Sequence, residues 1–366
     1  MDASSAPAPF KRLDQFSLMD LESLWLILNG QSVVDWHRVN LPSAEDAQTY
    51  LRRFELDPDR PSDAERIAQI QATAVAYLRG QFDFPIPKPL VQAPVDQLLR
   101  VASGKGHRQL CACTILKAMH IIHHVEAREL RFSLPMSDQD VFRLVEERVY
   151  RLVGRMLAEG LPVIEFVGGQ KRRTSVYTKL LSKPGAHASA VYDKLRFRIV
   201  TRTRADLLPV LLYLSDNLFA FNYVVPGESI NTILRFRQYC RDEPHLRGLL
   251  SKMQLGALDD FNTTHNQFSA DSYRIIHFVV DLPVRVPEAV LAAAPEPVRA
   301  LGPVIFGLCE FQLADRESDD ANEAGDASHT SYKTRQLAVV RRRLKVGQRD
   351  GPRAPSSSPP TKRKGR

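Results

Sequence analysis

An alternating segment, Asp271–Asp281, places the tightest constraint on what this chain can fold into. Successive side chains of a β-strand point to opposite sides of the sheet, so Tyr273 and His277 are predicted to share one side. The other side is mostly apolar and carries Arg274, Ile276, Phe278 and Val280. The pattern therefore predicts a strand with one face in the core and an aromatic ring beside an imidazole on the other face.

Two further strand-like segments each contribute an acid. Val191–Thr201 contains Asp193, and Val304–Gln312 contains Glu310. We expect the three strands to build one nucleotide site, in which both acids hold a magnesium ion, because Mg²⁺ prefers oxygen ligands from carboxylates and phosphates.

Each of these patterns also has a purely structural interpretation. The acids could form ion pairs with arginines such as Arg196 or Arg198. Tyr273 and His277 could be an aromatic packing pair with a hydrogen-bonded imidazole. A single pattern of this kind does not distinguish a functional site from a structural contact, so several of them are needed together to favour a functional site.

A basic segment precedes these strands. Leu161–Val167 is predicted to be a strand that ends in a turn at Gly168 and Gly169, where backbone N–H groups can approach an anion. The cations that follow are Lys171, Arg172, Arg173 and Lys179. They predict a phosphate-binding segment, and the alternative is a solvated basic loop.

The periodicity divides the chain near residue 160. Residues 1–15 are predicted to be a flexible leader, residues 16–160 an α-helical region, residues 161–344 a mixed α/β region and residues 345–366 a disordered basic tail. The predicted fold class is therefore α+β, with a mixed β-sheet flanked by helices and preceded by an α-helical N-terminal region. Within the second region, 221–225 is predicted to be a short strand and 316–326 an acidic loop.

Composition limits the partners of the chain. The formal charge is +8, but the ten Lys and Arg residues and one acid from Arg341 to the end give that stretch +9, so the rest is near neutral. A weak nucleic-acid contact is thus expected only from the tail, whose alternative is a solubilising end. No apolar run is long enough for a membrane span, and no signal peptide is seen. The four cysteines lack zinc spacing and are expected to be thiols of a cytoplasmic protein.

A histidine group lies in the helical region. His120 and His124 are four residues apart and share a predicted helix face, as some metal-binding pairs do. No flanking metal motif accompanies them, so a structural role is expected.

Taken together, four short motifs resemble the synthetase domain of the RelA/SpoT family of (p)ppGpp synthetases. They occur in the family's order over residues 165–315 and are Lys171 with Ser175–Lys179, Asp193 with Arg198 and Ile199, Tyr273 with Ile276 and His277, and Glu310 with Phe311 and Gln312. The resemblance implies a nucleotidyltransferase-like fold and magnesium-dependent transfer of pyrophosphate from ATP to the 3′-hydroxyl of a guanine nucleotide, or of a related nucleotide or tRNA acceptor.

The resemblance also implies roles for individual residues. Asp193 and Glu310 would bind Mg²⁺, and Glu310 would help to deprotonate the attacking hydroxyl. The residues implied to bind ATP phosphates are Lys171, Arg172, Ser175, Lys179 and Arg198. The residues implied to bind the acceptor nucleotide are Tyr273, His277 and Gln312.

The chain departs from the family pattern at several positions. Ser272 replaces a glycine, while Gly169 and Ala314 replace arginines. These departures support an alternative, namely a catalytically degenerate module that binds a nucleotide as a sensor or as an interaction partner.

Overall fold

The computed structural model describes residues 8–30, 36, 39–41, 43–182, 194–253, 272–324 and 329–344. The helices are α1 (Leu18–Asn29), α2 (Ala44–Arg52), α3 (Pro61–Phe82), α4 (Lys88–Val91), α5 (Val95–Ala102), α6 (His107–Ser133), α7 (Asp138–Ala158), α8 (Arg173–Ser182), α9 (Leu207–Asn217), α10 (Phe236–Asp242), α11 (Pro244–Leu250), α12 (Glu288–Ala292), α13 (Glu296–Arg299), α14 (Arg316–Glu323) and α15 (His329–Arg343). The strands are β1 (Val163–Gln170), β2 (Leu195–Thr201), β3 (Ile230–Asn231), β4 (Ile276–Arg285) and β5 (Val304–Asp315). Within these ranges, none of the helices combines the length and the apolar content that crossing a bilayer requires.

The strands form one five-stranded sheet in the order β1-β2-β5-β4-β3. The β2–β5 pair is parallel, and the other neighbouring pairs are antiparallel. Helices flank this mixed sheet, which confirms the predicted α+β class.

The helical front packs directly on the sheet. Helix α7 contacts β1, β4 and β5, helix α6 contacts β5, and helix α1 contacts α9, β3 and β4. Ser17, Ser43 and Ser137 begin α1, α2 and α7 by accepting a hydrogen bond from the backbone N–H three residues later, which satisfies an otherwise unpaired donor. Buried apolar residues form one core from Phe16 to Ala314. The division of the chain near residue 160 remains a prediction.

Aromatic rings fill the apolar face of the sheet. Phe278 of β4 and Phe311 of β5 stack with their centroids 5.6 Å apart, and Phe197 of β2 lies 5.4 Å from Phe311. All three side chains are fully buried. Because side chains alternate along a strand, burial of these rings turns the residues on either side of them to the opposite face.

The central strand starts later than its alternating pattern predicts, at Ile276. The two N–H groups before it are bonded to side chains. Arg274 N–H donates to Asn322 Oδ1 (2.9 Å), and Ile275 N–H donates to Thr232 Oγ1 (2.8 Å). The Ile275 carbonyl oxygen accepts from the backbone N–H of Thr232, the residue after β3 (2.9 Å). Side chains thus satisfy the N–H groups that a longer strand would pair with a neighbour.

Two local predictions are wrong, and a third is correct only in part. Gly168 and Gly169 lie inside β1, opposite Phe197 and Arg196, and form no turn. A Cβ atom on Gly168 would come within 2.8 Å of the Phe197 ring, so close packing explains that glycine. The predicted acidic loop at 316–326 contains α14. The predicted strand at 221–225 starts with a 3₁₀ turn, Phe221–Tyr223, and only its end pairs with β4, through an antiparallel bridge between Val224 and Val280.

Gly307 offers a test of how α7 packs on β5. A Cβ atom there would lie 2.5 Å from Val145 Cγ2 and 3.0 Å from Val141 Cγ1. We expect Gly307→Ala to lower the free energy of unfolding by about 1–3 kcal/mol, because the methyl group overpacks the contact. Chemical denaturation measures the change. The matched control is Gly169→Ala on β1, where a Cβ atom meets nothing within 4 Å. Equal stability of the two variants would contradict the packing described here.

Candidate functional site

A row of polar side chains crosses the face of the sheet opposite the aromatic rings. The register pairs His277 of β4 with Gln312 of β5, and Gln312 in turn with Arg198 of β2. It also pairs Glu310 of β5 with Arg196 of β2. Residues paired across neighbouring strands point to the same side, so these five side chains form one polar row.

Glu310 is the most buried member of the row, with 4% of its surface exposed. Its Oε1 accepts a hydrogen bond from Gln312 Nε2 (2.5 Å) and lies 3.3 Å from His277 Nε2. Its Oε2 accepts no hydrogen bond from any described residue. Burial of a carboxylate is costly unless it is paired, and here two neighbours partner one oxygen while the other remains available to a ligand.

Tyr273 joins this row from the segment just before β4. Burial raises the pKa of its hydroxyl, and the charge of Glu310 raises that pKa further, while Arg198 and Arg196 oppose both effects. The phenol therefore lies within the electrostatic field of the polar row. The sequence pattern predicted that Tyr273 and His277 belong to one strand and share a side of the sheet. Tyr273 instead lies before the first residue of β4 and approaches the polar row from there.

Arg198 is already engaged by acids of α14. Its guanidinium forms ion pairs with Asp319 and with Glu323, the latter at 3.2 Å. Burial lowers the pKa of Arg198, but the contacts with Asp319 and Glu323 together outweigh that effect and raise it overall. The alternative in which Glu310 pairs with Arg198 is therefore wrong for the described residues, because Arg198 pairs with acids of α14 and Glu310 contacts His277 and Gln312. The spacing of four between Asp319 and Glu323 was the signal in the sequence that they share a helix face.

The basic segment lies at the sheet edge nearest to Arg196. Gly169 of β1, Arg196 of β2 and Glu310 of β5 are paired in succession, so two strand spacings, roughly 10 Å, separate the backbones of Gly169 and Glu310. Lys171 N–H donates to the carbonyl oxygen of Lys194 (2.7 Å), which ties the chain after β1 to the start of β2.

The remaining cations of this segment are on or next to α8. The carbonyl oxygen of Arg172 accepts from Ser175 N–H (2.9 Å) as the helix begins, and Ser175 and Lys179 are one turn apart. Arg172 is exposed. The structure thus brings Glu310, Gln312, His277, Tyr273 and Arg198 together, and it leaves the α8 cations at the adjacent edge.

Asp193 lies outside the described residues, and so does the basic tail. Among the residues that are described, no group of three or more His, Cys, Asp or Glu side chains could hold a metal ion. The pairing of Asp193 with Glu310 therefore stays a prediction.

The histidines of α6 are packed into the core. His120 Nδ1 and Asn222 Nδ2 are 3.0 Å apart, and the His123 ring nitrogens have no hydrogen-bond partner among the described residues. Burial lowers the pKa of both imidazoles from 6.5 to about 3, with further lowering of the His123 pKa by Arg66. Both rings are therefore neutral near pH 7, which fits the structural role expected of this group.

These two histidines predict acid sensitivity. Their contribution to stability is fully present above the unfolded pKa of about 6.5 and is lost as the pH falls towards about 3. Each histidine contributes a slope of about 1.4 kcal/mol per pH unit in that range. Urea unfolding between pH 7 and pH 5 should show the free energy of unfolding falling with pH. His123→Leu should reduce that slope, and an unchanged slope in the variant would contradict this account.

Comparison with known proteins gives the following. No model of a known protein family matches the chain, and no curated protein matches it. Among solved structures, it is similar to small alarmone synthetase 1 from Bacillus subtilis bound to its product pppGpp, with 15% identity over 60% of this chain and 90% of that one and a TM-score of 0.33.

Two further solved structures are similar. Small alarmone synthetase 2 from Bacillus subtilis is 13% identical over 56% of this chain and 94% of its own, with a TM-score of 0.28. A GTP pyrophosphokinase family protein from Streptococcus pneumoniae is 13% identical over 57% of this chain and 84% of its own, with a TM-score of 0.27.

Proposed function

We propose that the protein transfers pyrophosphate from ATP to the 3′-hydroxyl of a guanine nucleotide, or of a related nucleotide or tRNA acceptor. The observation that carries the proposal is the buried Glu310 carboxylate in a polar row with His277 and Gln312. Tyr273 is close enough for its hydroxyl to respond to the charge of Glu310. This arrangement offers a stacking ring, a hydrogen-bonding row and a carboxylate in one place.

In the proposed reaction, the acceptor 3′-oxygen forms a bond to the β-phosphorus of ATP. The bond between that phosphorus and the oxygen bridging to the α-phosphate breaks, and AMP leaves. The hydroxyl proton passes to the Glu310 carboxylate. Such a transfer depends on positioning and on charge neutralisation more than on a covalent nucleophile.

Magnesium fits the oxygen chemistry of this site. Mg²⁺ is commonly held by one or two carboxylates together with substrate phosphates and water. Glu310 Oε2 is available for such a bond, and Asp193 is the proposed second carboxylate. When bound, the ion would neutralise charge on the phosphate oxygens.

The two substrates are assigned to the two sides of the polar row. The acceptor base would stack on Tyr273, while His277 and Gln312 would bind the acceptor's polar groups. ATP phosphates would bind at the edge near Arg196, through the set Lys171, Arg172, Ser175, Lys179 and Arg198. The role of Arg198 requires a phosphate to compete with Asp319 and Glu323 for its guanidinium.

The test of turnover uses labelled ATP with GDP, GTP or uncharged tRNA as acceptor. We expect one acceptor to become labelled in the presence of Mg²⁺, and we expect Glu310→Gln to lower the rate at least about 100-fold, because the amide cannot take the proton. Glu165→Gln is the matched control, since Glu165 is an exposed acid on β1 of the same sheet. Absence of labelled product with every acceptor, or equal rates for the two variants, would exclude the proposed reaction.

A second candidate function is nucleotide binding without turnover. The engagement of Arg198 by Asp319 and Glu323 favours it, because it reduces the positive charge available to a triphosphate. Calorimetry would then detect binding of a purine nucleotide to a protein that yields no labelled product. If the protein binds no purine nucleotide, this second candidate is excluded as well.

A further inference from the structure

A cleft of about 190 Å³ lies where the sheet is incomplete. Strand β5 begins at Val304, but β2 pairs with it only from Glu310 onward. Among the described residues, the part of β5 before Glu310 therefore pairs only with β4, and its other edge has no strand beside it. The cleft lies beside this uncovered stretch, between α6 and α7. Its polar lining residues are His124, Arg128, Arg131, Asp138, Lys194 and Asp281.

The cleft carries more positive than negative charge. A single carboxylate, Asp138, is shared by Arg131 (3.1 Å) and Lys194 (3.5 Å). The other carboxylate, Asp281, is bonded to His124 Nε2 at 2.7 Å. With Arg128, three permanent cations thus face two carboxylates, which leaves a positive excess suited to an anion.

Arg128 supplies that excess charge. It is exposed and forms no ion pair with any described residue. Its guanidinium carbon lies 5.8 Å from the centroid of the Phe132 ring, and the Phe132 side chain is 76% exposed. A ligand with both a flat ring and an anionic group fits this arrangement. Its ring would pack on Phe132, and its anionic group would bind the guanidinium of Arg128.

A second aromatic pair lines the cleft one helical turn before Arg128 along α6. The His124 ring stacks on Phe306 with centroids 4.5 Å apart and an interplanar angle of 16°. Asp281 holds the imidazole in place through Nε2.

We propose that this cleft is an additional nucleotide site, apart from the two substrate sites, and that it binds a nucleoside diphosphate. Arg128, Arg131 and Lys194 hold its phosphates, and the base lies against Phe132. The site is distinct from the polar row of Glu310, because the cations that hold the phosphates come from α6 and from Lys194, the residue before β2. Leu308, in the cleft wall, is nevertheless two residues from Glu310 on the same face of β5, so a bound nucleotide lies next to the proposed reacting groups.

The experiment measures binding by calorimetry in the Glu310→Gln background of the full chain, with EDTA present. ADP is the complete probe, inorganic pyrophosphate represents its phosphates and adenosine represents its ring. Arg128→Gln should weaken ADP and pyrophosphate binding about tenfold or more, because it removes a charge-assisted contact. Phe132→Ala should weaken ADP binding and leave pyrophosphate binding unchanged.

The matched control is Arg143→Gln, which removes the same charge from an exposed arginine of α7 paired with Glu147. Equal ADP affinity in the Arg128→Gln and Arg143→Gln proteins would overturn the proposal. An unchanged ADP affinity in Phe132→Ala would overturn the placement of the base. Since these readouts record binding in a protein with Glu310 replaced, their failure is distinguishable from a failure of the turnover assay.

Discussion

A buried carboxylate on an otherwise well-packed sheet is the constraint on which the site depends. Glu310 is on β5, the strand between β2 and β4, where a buried carboxylate is tolerated only with polar partners. Gln312 lies two residues along the same strand, and the register of β4 against β5 brings His277 to the same face. A slip of one residue in that register would turn Glu310 into the aromatic core. The same register is therefore required for packing the aromatic rings and for assembling the site.

The helical front contributes more than a cover for this sheet. Helix α6 supplies His124 to Asp281 of β4, and α7 packs against the glycine at position 307 of β5. Because these helices contact the same two strands that carry Glu310 and His277, the front and the sheet share one core. The proposed additional nucleotide site arises from that contact, at the point where β5 extends past β2.

Much of the site was predictable from short-range patterns. Alternation correctly assigned His277 to the polar side and Phe278 to the core, and the parity of Glu310 with Gln312 along β5 was likewise correct. These predictions succeeded because side-chain direction in a strand depends only on neighbours in sequence. The start of the strand was predicted incorrectly, because Asn322 and Thr232 capture the backbone before Ile276 through bonds across 48 and 43 residues.

The sequence by itself determined the α+β class, the helical front and the identity of the polar row, since periodicity and burial preference are local properties. Only the tertiary structure decided that Arg198 pairs with Asp319, that Gly168 is needed for packing against Phe197, and that α6 and α7 enclose a basic cleft. Each of these contacts joins residues that are far apart in the sequence, and the packing of helices and strands determines whether they come close in space. No local pattern encodes that packing.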